Sequence, residues 1–489
     1  MSFTPPTAFH ASSFSIFKRS LMQTDALPLN DVVDDSLFEE AFQEHGIDFG
    51  GDDDAVYTPA ITLWALISQT FFAKEQRSCK AAVLRVASLW AALGRTVCGT
   101  NTGAYCRARR KIPFEVVRDI TRHIANDTEA SVGHDFIDED SDVNLSPRVV
   151  EEVRAQSIGG RVLLLDGFTI TAADTPENQD EYPQNPVQKE GVGFPILRCV
   201  TLISLYTGML FDLACGPYCG KETGETALMR KLHDVLQPGD ILVADCYLCT
   251  YWLIAACRQR GVYIVMKNHH KRDDHPADAI RLCGSERLVT WTLPPRPSWM
   301  SHEEYKQQPS TLELRLVDVN VKHNGFRPNR FTVATTMIDD TPFPGDWIRS
   351  IYESRWLVEL DIRAIKCSLN MDILRAKTPD MVRTELWSCL LAYNLIRLKM
   401  FQSCVVSGRD PRSQSFTTTM QLLATNWLLC AVIGVTSELA ALAQSVPISQ
   451  QVGHRDGRTE PRVNKRRPKV LALMQKPRHK LRQELNAAA

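Results

Sequence analysis

Two short apolar runs in the middle of the chain each end in an aspartate. Val162 to Leu165 leads into Asp166, and Ile241 to Ala244 leads into Asp245. Four consecutive apolar residues are typical of strands that are buried on both faces. We therefore expect both carboxylates at the ends of central strands in one sheet.

Helical and alternating patterns surround these runs. Apolar residues at helical spacing predict helices before residue 94, from about Pro344 to Leu369 and from Pro379 to Met400, and the alternation from Leu312 to Val317 predicts strands. The chain divides into a loosely ordered acidic lead-in with one helix (1–57), a helical domain (58–127), a linker (128–155), a mixed α/β domain (156–402) with an antiparallel β insertion (271–345), and C-terminal helices with a basic tail (403–489).

Charge is distributed unevenly, although the formal net charge is only −1. Residues 20–73 contain eleven Asp or Glu and no Lys or Arg, whereas residues 455–482 carry eleven Lys or Arg. A second basic cluster, residues 107–111, follows Tyr105. Each basic cluster is either a solvated surface or a contact to a phosphate backbone.

Fourteen cysteines are scattered singly, which favours free thiols in a reducing cytosol over a disulfide framework. An alternative is a zinc site made from two cysteine pairs and two histidines: Cys215, Cys219, Cys246, Cys249, His269 and His270. Cysteine inside apolar segments is more commonly a small buried residue. The longest apolar run, Trp427 to Val435, is well short of the ~20 residues of a membrane span, so we expect no membrane.

A narrow polar stripe runs along the helix predicted around Glu359. At about 100° per residue, five polar residues fall within an arc of roughly 80°: Tyr352, Arg355, Glu359, Arg363 and Lys366. Ion pairs at four-residue spacing are one explanation, but such pairs do not need the apolar surround of this helix. A site is the better interpretation. Neighbouring carboxylates repel unless a cation lies between them, and Mg²⁺ prefers carboxylate oxygens and bridges phosphate.

The spacing Tyr352-x2-Arg355-x3-Glu359-x6-Lys366 resembles the YREK signature of the insertion sequence 4 family of DDE transposases, which are cut-and-paste enzymes. The resemblance extends to Leu165-Asp166-Gly167, to residues 238–245, to the β insertion and to the basic tail, and it covers about residues 60–482. It implies a ribonuclease H-like fold for the mixed α/β domain.

The resemblance also implies how the site works. Asp166, Asp245 and Glu359 would be the catalytic residues and the metal ligands of two Mg²⁺ ions, with Mn²⁺ able to substitute. One ion would activate water and then a DNA 3′-hydroxyl, and the other would stabilise the departing oxygen. The implied partners are double-stranded DNA, both inverted-repeat ends and target, and a second protomer. The implied location is the bacterial cytoplasm, at the nucleoid.

The expected DNA contacts form three groups. The stripe supplies Tyr352, Arg355, Arg363 and Lys366, and the basic clusters supply Arg107, Arg109, Arg110, Lys465, Arg466 and Arg467. Phe331 would stack on a base extruded during hairpin formation, although a core position in a strand explains it equally well. Trp291 and Trp299 are weaker candidates for that stacking.

The sequence departs from the family pattern at Phe331, where the best-known relative has a Trp, and at Cys246, where many relatives carry Arg or Gly. Glu222 and Glu225 have no assigned role, since metal assistance and helix capping explain both. Two alternatives share the fold: a nuclease that hydrolyses DNA without strand transfer, and a DNA-binding derivative that has lost catalysis.

Overall fold

A computed structural model describes residues 14–25, 27–49, 55–132, 160–321, 329–449 and 474–488. Most of the linker predicted at 128–155, and the tail residues Lys465, Arg466 and Arg467, lie outside these described residues. The strands are β1 (Val162–Thr171), β2 (Ile196–Ser204), β3 (Leu210–Pro217), β4 (Ile241–Ala244), β5 (Tyr263–Lys267), β6 (Ile280–Arg281), β7 (Arg287–Thr292), β8 (Thr311–Val321) and β9 (Asn329–Thr335).

Within the described residues, these nine strands form one mixed sheet in the order β3-β2-β1-β4-β5-β9-β8-β7-β6. β1, β4 and β5 run parallel, and β2 and β3 pair antiparallel beyond β1. The turn at Thr207-Gly208 joins β2 to β3, and Gly208 adopts a φ of 74°. The predicted mixed α/β fold is confirmed. The first five strands, in the order β3-β2-β1-β4-β5, have the arrangement of a ribonuclease H-like domain.

The antiparallel strands β6 to β9 extend this sheet instead of forming a separate one. β9 pairs antiparallel with β5, and β8, β7 and β6 follow in turn. The predicted β insertion is therefore joined to the central strands by backbone hydrogen bonds.

Helices cover the sheet and form the remainder of the described chain. They are α1 (Ser15–Ser20), α2 (Asp35–Glu44), α3 (Pro59–Phe71), α4 (Cys79–Ala92), α5 (Thr102–Arg109), α6 (Phe114–Ala130), α7 (Pro176–Glu181), α8 (Glu225–Arg230), α9 (Tyr251–Gln259), α10 (His302–Lys306), α11 (Gly345–Glu353), α12 (Leu357–Arg363), α13 (Pro379–Ser407), α14 (Phe416–Ile433), α15 (Ser437–Ser449) and α16 (Arg478–Ala488). α6 packs on both β3 and α13, so the N-terminal helices contact the sheet directly.

The segment before residue 58 is more ordered than its acidic composition predicted. α1 buries Ile16 and Phe17, and the Phe17 ring meets Trp427 of α14 with centroids 5.7 Å apart. Trp64 of α3 also stacks on Trp427. Because its few apolar residues fill a core that the two ends of the chain build together, this segment is not a loose lead-in where it is described.

Two helices in the described chain are long and apolar enough to cross a membrane, α13 and α14. In their most apolar windows, 89% of α13 and 39% of α14 is buried inside the protein. The core helix of a soluble protein meets the same test, so these helices are weak evidence for a membrane. α14 is also longer than the apolar run beginning at Trp427 suggested.

Candidate active site

The register of two parallel strands places two aspartates side by side. Leu164 of β1 pairs with Val243 of β4, and continuing that register by two residues brings Asp166 beside Asp245. Neighbouring strands lie about 4.8 Å apart, so the two carboxylates share one edge of the sheet. The two aspartates lie side by side, but the expectation that both end their strands is wrong for Asp166. β1 continues past it to Thr171 because its pairing with β2 continues, and only Asp245 follows the end of its strand.

Backbone amides orient both carboxylates. Asp166 Oδ1 accepts a hydrogen bond of 2.8 Å from the Gly167 amide. Asp245 Oδ1 accepts from the amides of Tyr247 and Leu248 at 3.0 and 3.2 Å. The loop after β4 therefore fixes one oxygen of Asp245, because the chain turns back on it before α9.

The helix that carries Glu359 is not the continuous helix that the sequence predicted. α11 ends at Glu353, a 3-10 turn spans Ser354–Trp356, and α12 runs into a π-helical turn at Ala364–Ser368. The constant 100° rotation behind the polar stripe therefore does not hold, and Tyr352 is buried whereas Glu359 is exposed. π-helical turns are rare and occur frequently at functional sites.

Arg355 lies between the carboxylates of Asp166 on β1 and Glu359 on α12. Its Nη2 donates to Glu359 Oε1 at 2.9 Å, and its Nη1 lies 3.5 Å from Asp166 Oδ2. The Glu359 side chain is 60% exposed, whereas those of Arg355 and Asp166 are about one fifth exposed. One guanidinium thus bridges two of the three predicted catalytic acids.

A buried ion cluster that the sequence analysis missed holds α12 in place. Asp361 is fully buried, and both its oxygens accept hydrogen bonds of 2.6 Å from Arg412. Arg397 of α13 donates to the same carboxylate. Since Asp361 lies two residues after Glu359, this cluster fixes the helix from the side opposite to the cleft. Its only sequence signal is an acid on the apolar side of an amphipathic helix.

The other stripe residues lie along the same cleft. Lys366 donates from Nζ to the Thr169 carbonyl of β1 at 2.8 Å, and Arg363 is exposed. The Tyr352 ring packs on Phe331 with centroids 5.2 Å apart, and Lys267 lies over the Phe331 ring. Phe331 is thus half-buried beside the site, as its strand position predicted.

Burial and crowding shift the pKa values of several of these groups. Burial raises the pKa of the Asp166 carboxyl, and the charges of Asp245 and Glu359 add to the shift, while Arg355 and the Gly167 amide oppose it. Burial also raises the pKa of Tyr352 above its ordinary value, so the hydroxyl stays protonated. Burial would lower the pKa of Arg355, but nearby Tyr352, Asp166 and Glu359 outweigh it and raise that pKa.

Glu225 is a fourth acid at this edge of the sheet. Burial raises its pKa, and the charges of Asp245 and Asp166 raise it further. A Cβ added to Gly167 would lie 2.4 Å from Glu225 Oε1, so this carboxylate rests directly on the backbone beside Asp166. Sequence spacing did not reveal this contact, because the two residues are far apart in the chain.

The acids fit a hard cation chemically, because all four supply carboxylate oxygens. As they stand, no three His, Cys, Asp or Glu side chains in the described part of the chain converge closely enough to hold a metal ion. The Arg355 guanidinium occupies the space between Asp166 and Glu359. The alternative zinc site from cysteines and histidines is likewise not assembled among the described residues, where Cys249 is buried.

The basic cluster on α5 divides between surface and interior. Arg107 and Arg110 are exposed. Arg109 is half-buried and lies over the Tyr105 ring, 5.8 Å from its centroid, so it points into the helical core. That all three arginines contact DNA stays a prediction, and for Arg109 such a contact would require the side chain to leave this inward position.

Residues 157–395 match the family described as "Transposase DDE domain". The transposase InsG for insertion sequence element IS4 of Escherichia coli (strain K12) is 26% identical over 317 residues, which cover 63% of this chain and 69% of that relative. The cryo-EM structure of the piggyBac transposase synaptic complex with hairpin DNA covers 94% of this chain and 91% of its own, at 9% identity and a TM-score of 0.40.

Proposed function

Because this chain belongs to the DDE transposases of the insertion sequence 4 type, we propose that Asp166, Asp245 and Glu359 are the catalytic acids that hold two Mg²⁺ ions. The chain is a DNA-cleaving enzyme of a class that depends on divalent metal ions. Such ions activate an attacking oxygen and stabilise the departing one in an in-line displacement. Mn²⁺ also suits these oxygen ligands.

One observation carries the assignment of the acids. The β1–β4 register brings Asp166 and Asp245 together, and the Arg355 bridge joins Asp166 to Glu359. Three acids from distant parts of the chain thus meet at one cleft. Two oxygens on the aspartates are already oriented by backbone amides, which reduces the reorganisation needed to bind a cation.

Arg355 has a different role before and during the reaction. Without DNA its guanidinium neutralises Asp166 and Glu359 and so substitutes for a cation. A DNA phosphate offers two non-bridging oxygens that the guanidinium fork can bind together, which is a stronger contact than one carboxylate oxygen at 3.5 Å. We propose that Arg355 turns to the phosphate and leaves the acids open.

The neighbouring side chains bind the same DNA end. Lys366 places an ammonium group at the β1 edge, and exposed Arg363 extends the positive surface along α12. Tyr352 keeps its proton and donates to a terminal phosphate. Phe331, already stacked on Tyr352, can accept an extruded base, which supports cleavage of the second strand through a hairpin.

More distant contacts complete the proposal. Arg107 and Arg110, together with Lys465, Arg466 and Arg467, bind the backbone of the inverted-repeat ends or of target DNA, and Arg109 does so only if it leaves its inward position. Both transposon ends are held by a homodimer. The enzyme then acts on the nucleoid in the bacterial cytoplasm.

The test is a cleavage assay on a duplex carrying the DNA that flanks this gene. Wild type is compared with Glu359→Gln in Mg²⁺, in Mn²⁺ and in EDTA, and Glu353→Gln, an exposed acid on the preceding helix, is the control. We expect metal-dependent nicks at a defined inverted repeat. Glu359→Gln should still bind the ends but cut them at least about a thousandfold more slowly. Glu359 is a proposed metal ligand, and losing it removes several kcal/mol of charge stabilisation from the transition state.

Each outcome of this assay distinguishes between the possible functions of the protein. Cutting followed by joining to a second duplex supports cut-and-paste transposition, whereas cutting without joining supports a nuclease. Near-normal cutting by Glu359→Gln would remove Glu359 from the metal site. Specific, salt-sensitive binding without any cutting by wild type would identify a DNA-binding derivative.

A further inference from the structure

Glu225 lies closer to the catalytic edge than its position in the chain suggests. It is the first residue of α8, which follows β3 and packs on β2 and β3. Its Oε1, Cδ and Cγ atoms lie 2.4, 2.5 and 2.9 Å from the point where a Gly167 Cβ would be. The carboxylate therefore fits only because residue 167 has no side chain.

Among the described residues, the Glu225 carboxylate has no hydrogen bond and no ion pair within 4.0 Å. The positive charge of Arg198 acts on it from further away, but that guanidinium donates to the Thr223 carbonyl and lies over the Tyr218 ring. By contrast, Glu222, three residues earlier, is paired with Arg230.

Two more acids face Glu225. The charges of Asp245 and Asp166 both act on it, and neither aspartate brings it a partner. A half-buried carboxylate set against two others is unfavourable unless a cation lies among them. The ordinary explanation for an acid at this position is an interaction with its own helix end. An interaction with the helix end does not explain why the Glu225 carboxylate lies against Gly167 of β1.

We propose that Glu225 is a fourth carboxylate of the metal site and helps to hold a divalent cation between Asp166 and Asp245, directly or through one water molecule. The inference rests on the proposed metal site. It also explains why residue 167 is a glycine, since any larger residue would push the Glu225 carboxylate away from the two aspartates.

Mn²⁺ binding to the DNA-free protein tests the proposal without any reliance on catalysis. Calorimetry or electron paramagnetic resonance measures the affinity of wild type, Glu225→Gln, Glu222→Gln and Asp166→Asn. We expect Glu225→Gln to bind Mn²⁺ about ten- to a hundredfold more weakly, the usual loss for a residue that supports a metal site. Glu222→Gln should match wild type, because its carboxylate is paired with Arg230.

A double-mutant cycle separates the Glu225 contact from general damage. Gly167→Ala should weaken Mn²⁺ binding in the wild-type background but not in Glu225→Ala, where nothing remains to be displaced. Equal losses in both backgrounds, or a Glu225→Gln protein with wild-type affinity, would overturn the role of Glu225 while leaving the three-acid site intact. If wild type binds Mn²⁺ no better than Asp166→Asn does, the proposed metal site fails and this inference fails with it.

Discussion

Two acids on the same short helix, Glu359 and Asp361, have opposite surroundings. Glu359 is 60% exposed and shares one guanidinium with Asp166. Asp361 is 0% exposed and is held by two arginines, Arg397 and Arg412, which are themselves nearly buried. A carboxylate with replaceable partners thus lies only two positions along the helix from one whose partners are fixed.

The difference lies in what solvent permits. A carboxylate at a water-filled cleft can exchange a guanidinium for a metal ion at small cost, because water screens the intermediate arrangement. A carboxylate in the core cannot release its partners without leaving an uncompensated buried charge. In the proposed mechanism, Asp361 keeps the helix anchored while Glu359 exchanges Arg355 for a metal ion.

The largest expected effect breaks the buried half of the comparison. Asp361→Ala should lower the free energy of unfolding by about 3–5 kcal/mol, because two arginines lose the carboxylate that compensates them. Asp380→Ala, which removes a carboxylate that is 91% exposed, should change it by less than about 1 kcal/mol. Denaturant titration measures both. A small loss for Asp361→Ala would show that water or other groups compensate the arginines.

Arg355→Ala tests the exchangeable ion pair of the exposed carboxylate, Glu359, and should leave the free energy of unfolding nearly unchanged. DNA affinity should fall about ten- to a hundredfold, because a hydrogen bond to a charged group contributes about 1.5–3 kcal/mol. The slope of log affinity against log salt should decrease by roughly 0.9 if one phosphate contact is lost. Arg355→Lys should restore the slope but not the full affinity, since lysine lacks the fork. An unchanged slope in Arg355→Ala would place the phosphate elsewhere.

The smallest effect concerns Asp166, whose pKa is raised by burial and by Asp245 and Glu359. A carboxyl whose folded pKa exceeds its ordinary value of 3.8 loses stability as pH rises through that window, because the folded state then gives up a proton that it holds more tightly than the unfolded chain. Asp166→Asn should therefore raise the melting temperature slightly at neutral pH. The gain should shrink as pH falls towards 3.8, and a lower melting temperature at neutral pH would contradict the shift.

The sequence predicted the parts of the site that depend on local pattern. Asp166 and Asp245 each follow four apolar residues, which identified the two buried strands that carry them. The pattern did not show that β1 continues past Asp166 to Thr171, because that part of the strand depends on pairing with β2. Glu359 was identified by its spacing from Tyr352 and Arg355, which a short helix and a 3-10 turn still bring to one cleft.

The parts that were missed depend on contacts between distant segments. Burial of Asp361 follows from arginines 36 and 51 residues away, and no periodicity reveals them. The Glu225 carboxylate, on α8, lies against β1 at a position where residue 167 is a glycine. Arg109 looked like its exposed neighbours until the fold turned it towards Tyr105. The acidic N-terminal segment was misjudged because composition does not show that Phe17 has a partner in Trp427.

The continuous sheet also makes the β insertion a mechanical element. Backbone pairing runs in one row from Arg287 through Leu316, Ala334 and Met266 to Ala244, the residue before Asp245. Each strand in this row is hydrogen-bonded to the next, so an outer strand cannot shift far without its neighbours shifting too. A displacement of the outer strands is therefore passed along this row to the backbone that precedes Asp245.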